Sequence, residues 1–385
     1  MADLHNTIAV VTGASRGAGK GIAIALGAQG ATVYVTGRSV NEGDAALPGT
    51  VGATAAAVTQ AGGRGIAVAC DHADDAQVRA LFERIKAEQG RVDILVNNAT
   101  FLHDQLIEKG PFWKKSLDLV DILDVGLRSA YVASWYAAPL MVAQKRGLIA
   151  FTSSFGASCY MHGPAYGAQK VGVDKFAKDM GVDLKAHNVA AVSVWMGMLR
   201  TDRTKRVMDS EPQKYAGFWE IAETPEFTGH LLAALYNDPK RMDKSGQVLI
   251  GAELAQEYGL TDEGRQPPSH RPMLGGPTQA HPAIVEAVTR QVERGTAFTL
   301  ATEAEVLDAT DLALEIIDSV PVFLARAYQE AQIRQLGAVV EPVLVPLIPV
   351  VDPVVTPLMP VIETGADDLV GSAAPAQGRN QDVGV

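Results

Sequence analysis

The chain has 385 residues, room for one large domain or two moderate ones. Its 47% hydrophobic and 20% charged content suits a soluble protein with a sizeable core. A net charge of −11 argues against a nucleic-acid partner, which needs clustered Lys and Arg. Cys70 and Cys159 are the only cysteines, too few for a disulfide framework or, alone, a zinc site, and they point to a reducing, cytoplasmic compartment. Met1–Asn6 is short and polar, Ile8–Val11 is too brief for a secretory core, and no run of about 20 apolar residues is uninterrupted, so neither a signal nor a transmembrane segment is expected.

Strand and helix signals alternate from the start. The pattern predicts strands over Thr7–Val11, Thr32–Thr36, Ile66–Cys70, Val92–Val96, Leu148–Thr152, Val189–Trp195 and Gln247–Ile250. Between them it predicts helices over Gly17–Gln29, Asp74–Gln89, Ser116–Gln144, Pro164–His187 and Pro225–Tyr236. This order, with strands apolar throughout, predicts an α/β fold: a doubly wound parallel sheet with helices on both faces.

The first strand runs into Thr12-Gly13-Ala14-Ser15-Arg16-Gly17-Ala18-Gly19. Glycines there permit a tight turn and a close approach of backbone to a pyrophosphate at a helix N-terminus. A nucleotide-hydrolase P-loop is excluded, because Gly19-Lys20 is followed by Gly21 rather than Ser or Thr. The second strand ends Tyr34-Val35-Thr36-Gly37-Arg38. Where NAD-binding units place an acid against the ribose hydroxyls, Gly37 stands, with Arg38 next and Arg16 in the glycine loop. Two guanidiniums without an acid suit a 2′-phosphate, hence NADP(H) in preference to NAD(H).

Tyr166 and Lys170 are four apart on the predicted helix that opens at Pro164, so they share one face. A phenol with a pKa of about 10 is too weak an acid for work near neutrality; lowering it by about three units takes roughly 4 kcal/mol. A neighbouring ammonium in a partly dry cleft, helped by a positively charged cofactor ring, can supply that order of energy. Taken alone, Tyr-x-x-x-Lys is a common surface pair. Its place after a glycine cradle is what makes it a candidate site.

Thr12–Gly19, Asp71, Asn97-Asn98-Ala99, Ser154, Tyr166 and Lys170 stand in the order and at the spacings of the short-chain dehydrogenase/reductase family, which residues 1–262 resemble. Val33–Arg38, Val125-Gly126-Leu127 and Leu254–Leu260 resemble one branch of it. The resemblance implies a Rossmann fold and hydride transfer between a nicotinamide cofactor and a carbonyl or alcohol substrate. It implies Tyr166 as acid/base, Lys170 on the nicotinamide ribose, and Ser154 on the substrate oxygen. A common family spacing, thirteen before the tyrosine, points instead to Ser153. The cofactor-binding residues carried over are Gly13, Ser15, Arg16, Gly17, Gly19, Arg38, Asp71, Asn97, Ala99, Tyr166, Lys170 and Thr201. The family also implies a homodimer or homotetramer acting on a small molecule.

Two departures stand out. The usual Pro-Gly after strand six is Met196-Gly197, which should loosen that turn. The usual relay asparagine is Gly126, which should make the kink in its helix less defined while leaving a backbone carbonyl for the relay water. His103, His162, Trp195 and Cys159 read as packing or substrate-wall residues. The Arg200–Phe227 stretch, with Tyr215, Phe218 and Trp219, occupies the place of a mobile substrate-covering loop.

The family pattern ends near Asp262. Residues 263–340 read as a Pro- and Gly-rich linker and a helical extension, with helical patterns over His281–Arg294, from a capping box at Thr302/Glu305 to Asp318, and over Pro321–Leu336. His281–Thr296 resembles a short piece of class III aminotransferases. Such enzymes need a Schiff-base lysine, and the chain has none after Lys244, so the piece carries no such catalysis. Residues 341–385 read as a Pro-rich apolar tail with a disordered end. An alternative left open is a non-catalytic NADP(H)-binding regulatory or scaffold protein acting through this C-terminal extension.

Overall fold

The structure is a computed structural model and describes residues 3–277, apart from 211, 214 and 216. Seven strands form one sheet in the order β3-β2-β1-β4-β5-β6-β7. They are β1 (Ile8–Val11), β2 (Thr32–Gly37), β3 (Arg64–Ala69), β4 (Ile94–Asn97), β5 (Gly147–Ser153), β6 (Val189–Trp195) and β7 (Val248–Ile250). Every neighbouring pair is parallel. β1, β4, β5 and β6 are buried along their whole length, the mark of strands covered on both faces. The doubly wound α/β fold expected from the sequence is the fold observed.

The helices are α1 (Gly17–Ala28), α2 (Val51–Gln60), α3 (Asp75–Gln89), α4 (Ser129–Gln144), α5 (Pro164–Leu184), α6 (Asp202–Ser210), α7 (Phe218–Ile221), α8 (Phe227–Asn237), α9 (Gly251–Tyr258) and α10 (Arg271–Leu274). Side chains alternate along each strand, so Ala9 and Val11 join one core layer and Ile8 and Val10 the other. The first layer is closed by Ile22 and Leu26 of α1, Val58 of α2 and Leu232 of α8. The second is closed by Leu81 of α3, Ala133 of α4 and Val173 of α5. No helix among the described residues is long and apolar enough to cross a membrane.

Three local readings differ from the structure. α2 went unpredicted because its Val51-Gly52-Ala53-Thr54-Ala55-Ala56-Ala57-Val58 run has few large apolar residues. Its start is nonetheless signalled by Thr50, whose side chain accepts from the Ala53 N–H at 3.0 Å. The Ser116–Gln144 helix is not continuous: a 3₁₀ turn (Leu117–Val120) and a π-turn (Leu123–Arg128) precede α4. Residues 263–277, read as a linker, lie within the compact unit that runs from the N-terminus to residue 278. There Arg271 grips Glu253 with Nε at 2.8 Å and Nη2 at 2.7 Å, and Ser269 donates to the same carboxylate at 2.7 Å. The helical extension, its aminotransferase-like piece and the Pro-rich tail lie outside the described residues.

Asp93, fully buried just before β4, ties the sheet to both sides. Its carboxylate accepts from Ile8 N–H at 2.8 Å, Arg91 Nε at 3.0 Å, Tyr236 Oη at 3.1 Å and Gln144 Nε2 at 3.3 Å. Asp93→Ala would strand these donors and leave a cavity. We expect it to lower the unfolding free energy by about 3 kcal/mol or more, read as a lower urea midpoint.

Candidate active site

The C-terminal ends of β1, β4, β5 and β6 open onto one crevice, where a doubly wound sheet places its ligands. The turn after β1 is drawn tight against the turn after β4. Thr12 Oγ1 accepts from the N–H groups of Asn98 and Ala99, each at 2.9 Å, and Asn98 Nδ2 donates to the carbonyls of Thr12 at 2.9 Å and Gly13 at 3.1 Å. Gly13 has φ +64°, and a Cβ there would stand 2.6 Å from the Ala99 Cα, so only glycine fits. α1 then begins at Gly17 with no side-chain cap on its first turn. Its first N–H groups are therefore available to an anion, and the helix dipole favours one. Ser15 is buried in the same turn, and the Thr201 methyl lies 4.0 Å from where a Gly17 Cβ would be. Thr201 thus overhangs the cradle from the far side. These features fit a dinucleotide pyrophosphate.

The adenosine end differs from the sequence expectation in one respect. Arg16 is engaged by the chain itself: Nη2 donates to Ser39 Oγ at 2.7 Å and to the Gly49 carbonyl at 2.8 Å, and Nε to the Pro48 carbonyl at 3.1 Å. Burial pushes its pKa down, and the charges of Glu42, Arg38 and Arg203 all reach it. An acid, Glu42, therefore stands near a place where the motif had none. Arg38 is exposed, with no hydrogen bond or ion pair among the described residues. Asp71, half-buried after β3, accepts from the Ala73 N–H at 3.0 Å.

At the other end, Ser154 Oγ and Tyr166 Oη are 2.8 Å apart. Ser153, by contrast, is fully buried, and its hydroxyl donates to the Lys170 carbonyl at 3.3 Å. Strand alternation separates the neighbours, one turned to the crevice and one to α5. α5 starts with Pro164 in its first turn, so Tyr166 faces the crevice and Lys170 lies one turn deeper. The Lys170 ammonium is 5.3 Å from the Tyr166 ring centre and donates to the Thr152 carbonyl at 3.3 Å. Burial pushes it down to about 8, against the pull of Asp174. Burial also raises the Tyr166 phenol, although the Ser154 hydrogen bond draws it back. The lowering of this phenol by Lys170, expected from spacing, does not show in the protein alone, where desolvation dominates and only Ser154 pulls the other way.

Gly126 also departs from expectation, since the break in its helix is sharp. Val125 (φ −101°, ψ 88°) and Gly126 (φ +147°, ψ −40°) leave helical geometry altogether. The Gly126 carbonyl accepts from Gln169 Nε2 at 2.9 Å, beside Lys170. Asn97 is 5% exposed and its Nδ2 donates to Ser134 Oγ at 2.9 Å, so its side chain is turned into α4 rather than the crevice. Its neighbour Asn98 does the bracing of the cradle. The resemblance put the strand-four role on Asn97; nothing in the sequence signalled the bracing by Asn98, or Ser39 or Gln169.

Trp195 is core: 1% exposed, packed on Phe155 at 5.1 Å, its Nε1 donating to Asp174 at 2.8 Å. His103 caps a short 3₁₀ turn. His162 does face the site, its ring edge-on to Tyr166 at 4.9 Å, and Cys159 packs on the Phe155–Trp195 cluster. The Arg200–Phe227 stretch holds α6 and α7, and its two ends are joined by a bridge between Leu199 and Glu223.

A family model described as short chain dehydrogenase matches residues 7–212. Dehydrogenase/reductase SDR family member 1 of Mus musculus is 39% identical over 277 residues, covering 69% of this chain and 86% of that protein. The 3-oxoacyl-(acyl-carrier-protein) reductase FabG of Escherichia coli (strain K12) is 33% identical over 210 residues, 54% of this chain and 80% of that one. Among solved structures, a short-chain type dehydrogenase/reductase from Mycobacterium marinum has a TM-score of 0.54 at 26% identity, covering 64% of this chain and 94% of its own. The chain belongs to the short-chain dehydrogenase/reductase family and is an NAD(P)-dependent oxidoreductase.

The Gly126 break gives a direct check on the geometry beside Lys170. A Cβ there would stand 3.1 Å from Thr100 Oγ1 and 3.2 Å from Gln169 Cγ, on a backbone that L-residues avoid. Gly126→Ala should cost about 1–3 kcal/mol, seen as a lower melting temperature.

Proposed function

We propose that the protein is an NADP(H)-dependent carbonyl reductase/alcohol dehydrogenase in which Tyr166 is the acid/base. The observation that carries this reading is the Ser154 Oγ–Tyr166 Oη contact of 2.8 Å, one turn above the buried Lys170. When bound, the nicotinamide cofactor supplies or takes up the hydride. Gly13, Ser15, Gly17 and Gly19 with the α1 N-terminus would cradle its pyrophosphate. Arg38, with Arg16, would meet the 2′-phosphate, and Asp71 the adenine. Ala99 and the backbone of Asn97 would line the strand-four side, Thr201 would face the nicotinamide amide, and Lys170 the nicotinamide ribose hydroxyls.

In the reducing direction Tyr166 gives its proton to the substrate oxygen as that oxygen gains charge. Ser154 donates a hydrogen bond to the same oxygen and fixes its position. The phenolate left behind is stabilised by the Lys170 charge and by Ser154, then takes a proton back from solvent. In the oxidative direction the same phenolate removes the alcohol proton. His162 forms a wall of the substrate space, and residues 200–227 cover it. A small-molecule carbonyl or alcohol is the substrate class. Exposed Tyr131 and Trp135 on α4 and Val171 on α5 support a homodimer or homotetramer, and the free Cys70 and Cys159 support a cytoplasmic location.

Tyr166→Phe should lower kcat/KM for NADPH-dependent reduction across a carbonyl panel by about 10²–10⁴-fold with NADPH binding retained, whereas retained turnover would end the mechanism. For the cofactor, Arg38→Asp should reverse the preference between NADPH and NADH in fluorescence titrations; equal affinities for both in the wild type would remove the 2′-phosphate argument. The pH dependence follows from Lys170. Because its ammonium loses its proton near pH 8, stabilisation of the developing phenolate fades above that pH. Carbonyl reduction should therefore decline on the alkaline side of about 8, and a rate profile flat to high pH would remove the charged lysine from the mechanism.

A further inference from the structure

We propose that Asp174 is the buried counter-charge that keeps the Lys170 amine protonated, a positioning residue that acts on the Tyr166 site through Lys170. The inference rests on the role given above to Lys170 only for its catalytic consequence.

Asp174 follows Lys170 by one turn of α5, so both project from one face of that helix toward the sheet. It is 9% exposed. Each carboxylate oxygen has its own donor from β6: Ser193 Oγ reaches Oδ1 at 2.5 Å, and Trp195 Nε1 reaches Oδ2 at 2.8 Å. An indole N–H can only donate, so Oδ2 is held as an acceptor, and with the Ser193 hydroxyl donating to Oδ1 the two donors favour the ionised acid. Burial raises the Asp174 pKa, and the hydrogen bonds of Ser193, Ser153 and Trp195, with the Lys170 charge, pull it back toward the ionised form. This explains two neighbouring serines with different tasks. Ser154 serves the phenol, and Ser153 serves the pair behind it.

A buried carboxylate and a buried ammonium are each costly alone and are tolerated together. The groups around Lys170 are Tyr166 on its own helix, the Thr152 carbonyl of β5, His162 in the preceding loop, and Asp174. Thr152 supplies a dipole, Tyr166 is neutral, and His162 contributes no negative charge. Asp174 is the one anion among the described residues whose field favours the ammonium. Lys170 makes no direct ion pair with it. The carboxylate is pinned to β6 and acts across the intervening space, which leaves the ammonium free to turn toward the crevice.

The test uses the full chain without cofactor, labelled with [6-¹³C]lysine. The Lys170 signal is assigned by its loss in Lys170→Arg and titrated by NMR. Asp174→Asn keeps the shape and can still accept from Trp195 and donate to Ser193, so it removes the charge alone. The Lys170 pKa should fall by about one unit or more, the lower end of what a nearby opposite charge produces. Asp174→Glu should stay closer to the wild type. An unchanged Lys170 titration in Asp174→Asn overturns the proposal. If neutralising Asp174 unfolds the protein, the Lys170→Met/Asp174→Asn pair should regain stability relative to Asp174→Asn, and strictly additive losses would equally overturn it. The alkaline limb of the activity profile should move to lower pH in Asp174→Asn by the same shift. Because the titration needs no turnover, its failure is distinguishable from failure of the Tyr166 mechanism.

Discussion

A lysine amine placed where water scarcely reaches it tends to lose its proton, and the mechanism proposed for Tyr166 depends on that not happening. Lys170 sits beside the Tyr166 ring with a backbone carbonyl as its only hydrogen-bond partner among the described residues. The ends of β5 and β6 surround it with groups that determine its charge. Thr152 accepts from the ammonium, and Ser153 holds the helix backbone at Lys170. Ser193 and Trp195 fix an acid one turn below. The same strand ends deliver Ser154 to the phenol. Packing of α5 on β5 and β6 is therefore both core and chemistry, since moving that helix by one residue would exchange the charged face for a neutral one.

The cofactor end follows a different physical logic. There the work is done by backbone, through a glycine turn pressed onto Ala99 and a helix terminus left uncapped. Asn98 and Thr12 hold the two turns together without needing charge. The long connection between β2 and α2 folds back onto Arg16, so this arginine stabilises the loop before it meets any ligand. Arg38 is the freer of the two guanidiniums. The stretch proposed to cover the substrate is anchored at its base, where Arg200 reaches Glu263 at 2.7 Å and Leu199 pairs with Glu223. A pinned base with short helices beyond it is the arrangement a covering loop needs.

Much of the fold was legible in the chain because strands buried on both faces are written as continuous apolar runs. β6 was recovered at its true ends for that reason. α2 was not, since alanines and threonines carry little periodic contrast. The relay position illustrates a second kind of miss. Glycine was expected to blur the break at residue 126, but a φ of +147° is a conformation only glycine takes easily, so the break is well formed.

Order and spacing in the chain were enough to establish the architecture, the glycine cradle, and the pairing of Tyr166 with Lys170, because helical and strand periodicities are local and fix which residues share a face. Three matters needed the folded molecule. Ser154 rather than Ser153 meets the phenol, Arg16 is occupied by its own loop, and Asp174 stands behind Lys170 with two donors from β6. Each turns on contacts between different elements, a strand end, a loop or a helix meeting another. Such hydrogen bonds, and the desolvation that raises the Tyr166 phenol, arise only when strands and helices close on one another and exclude water.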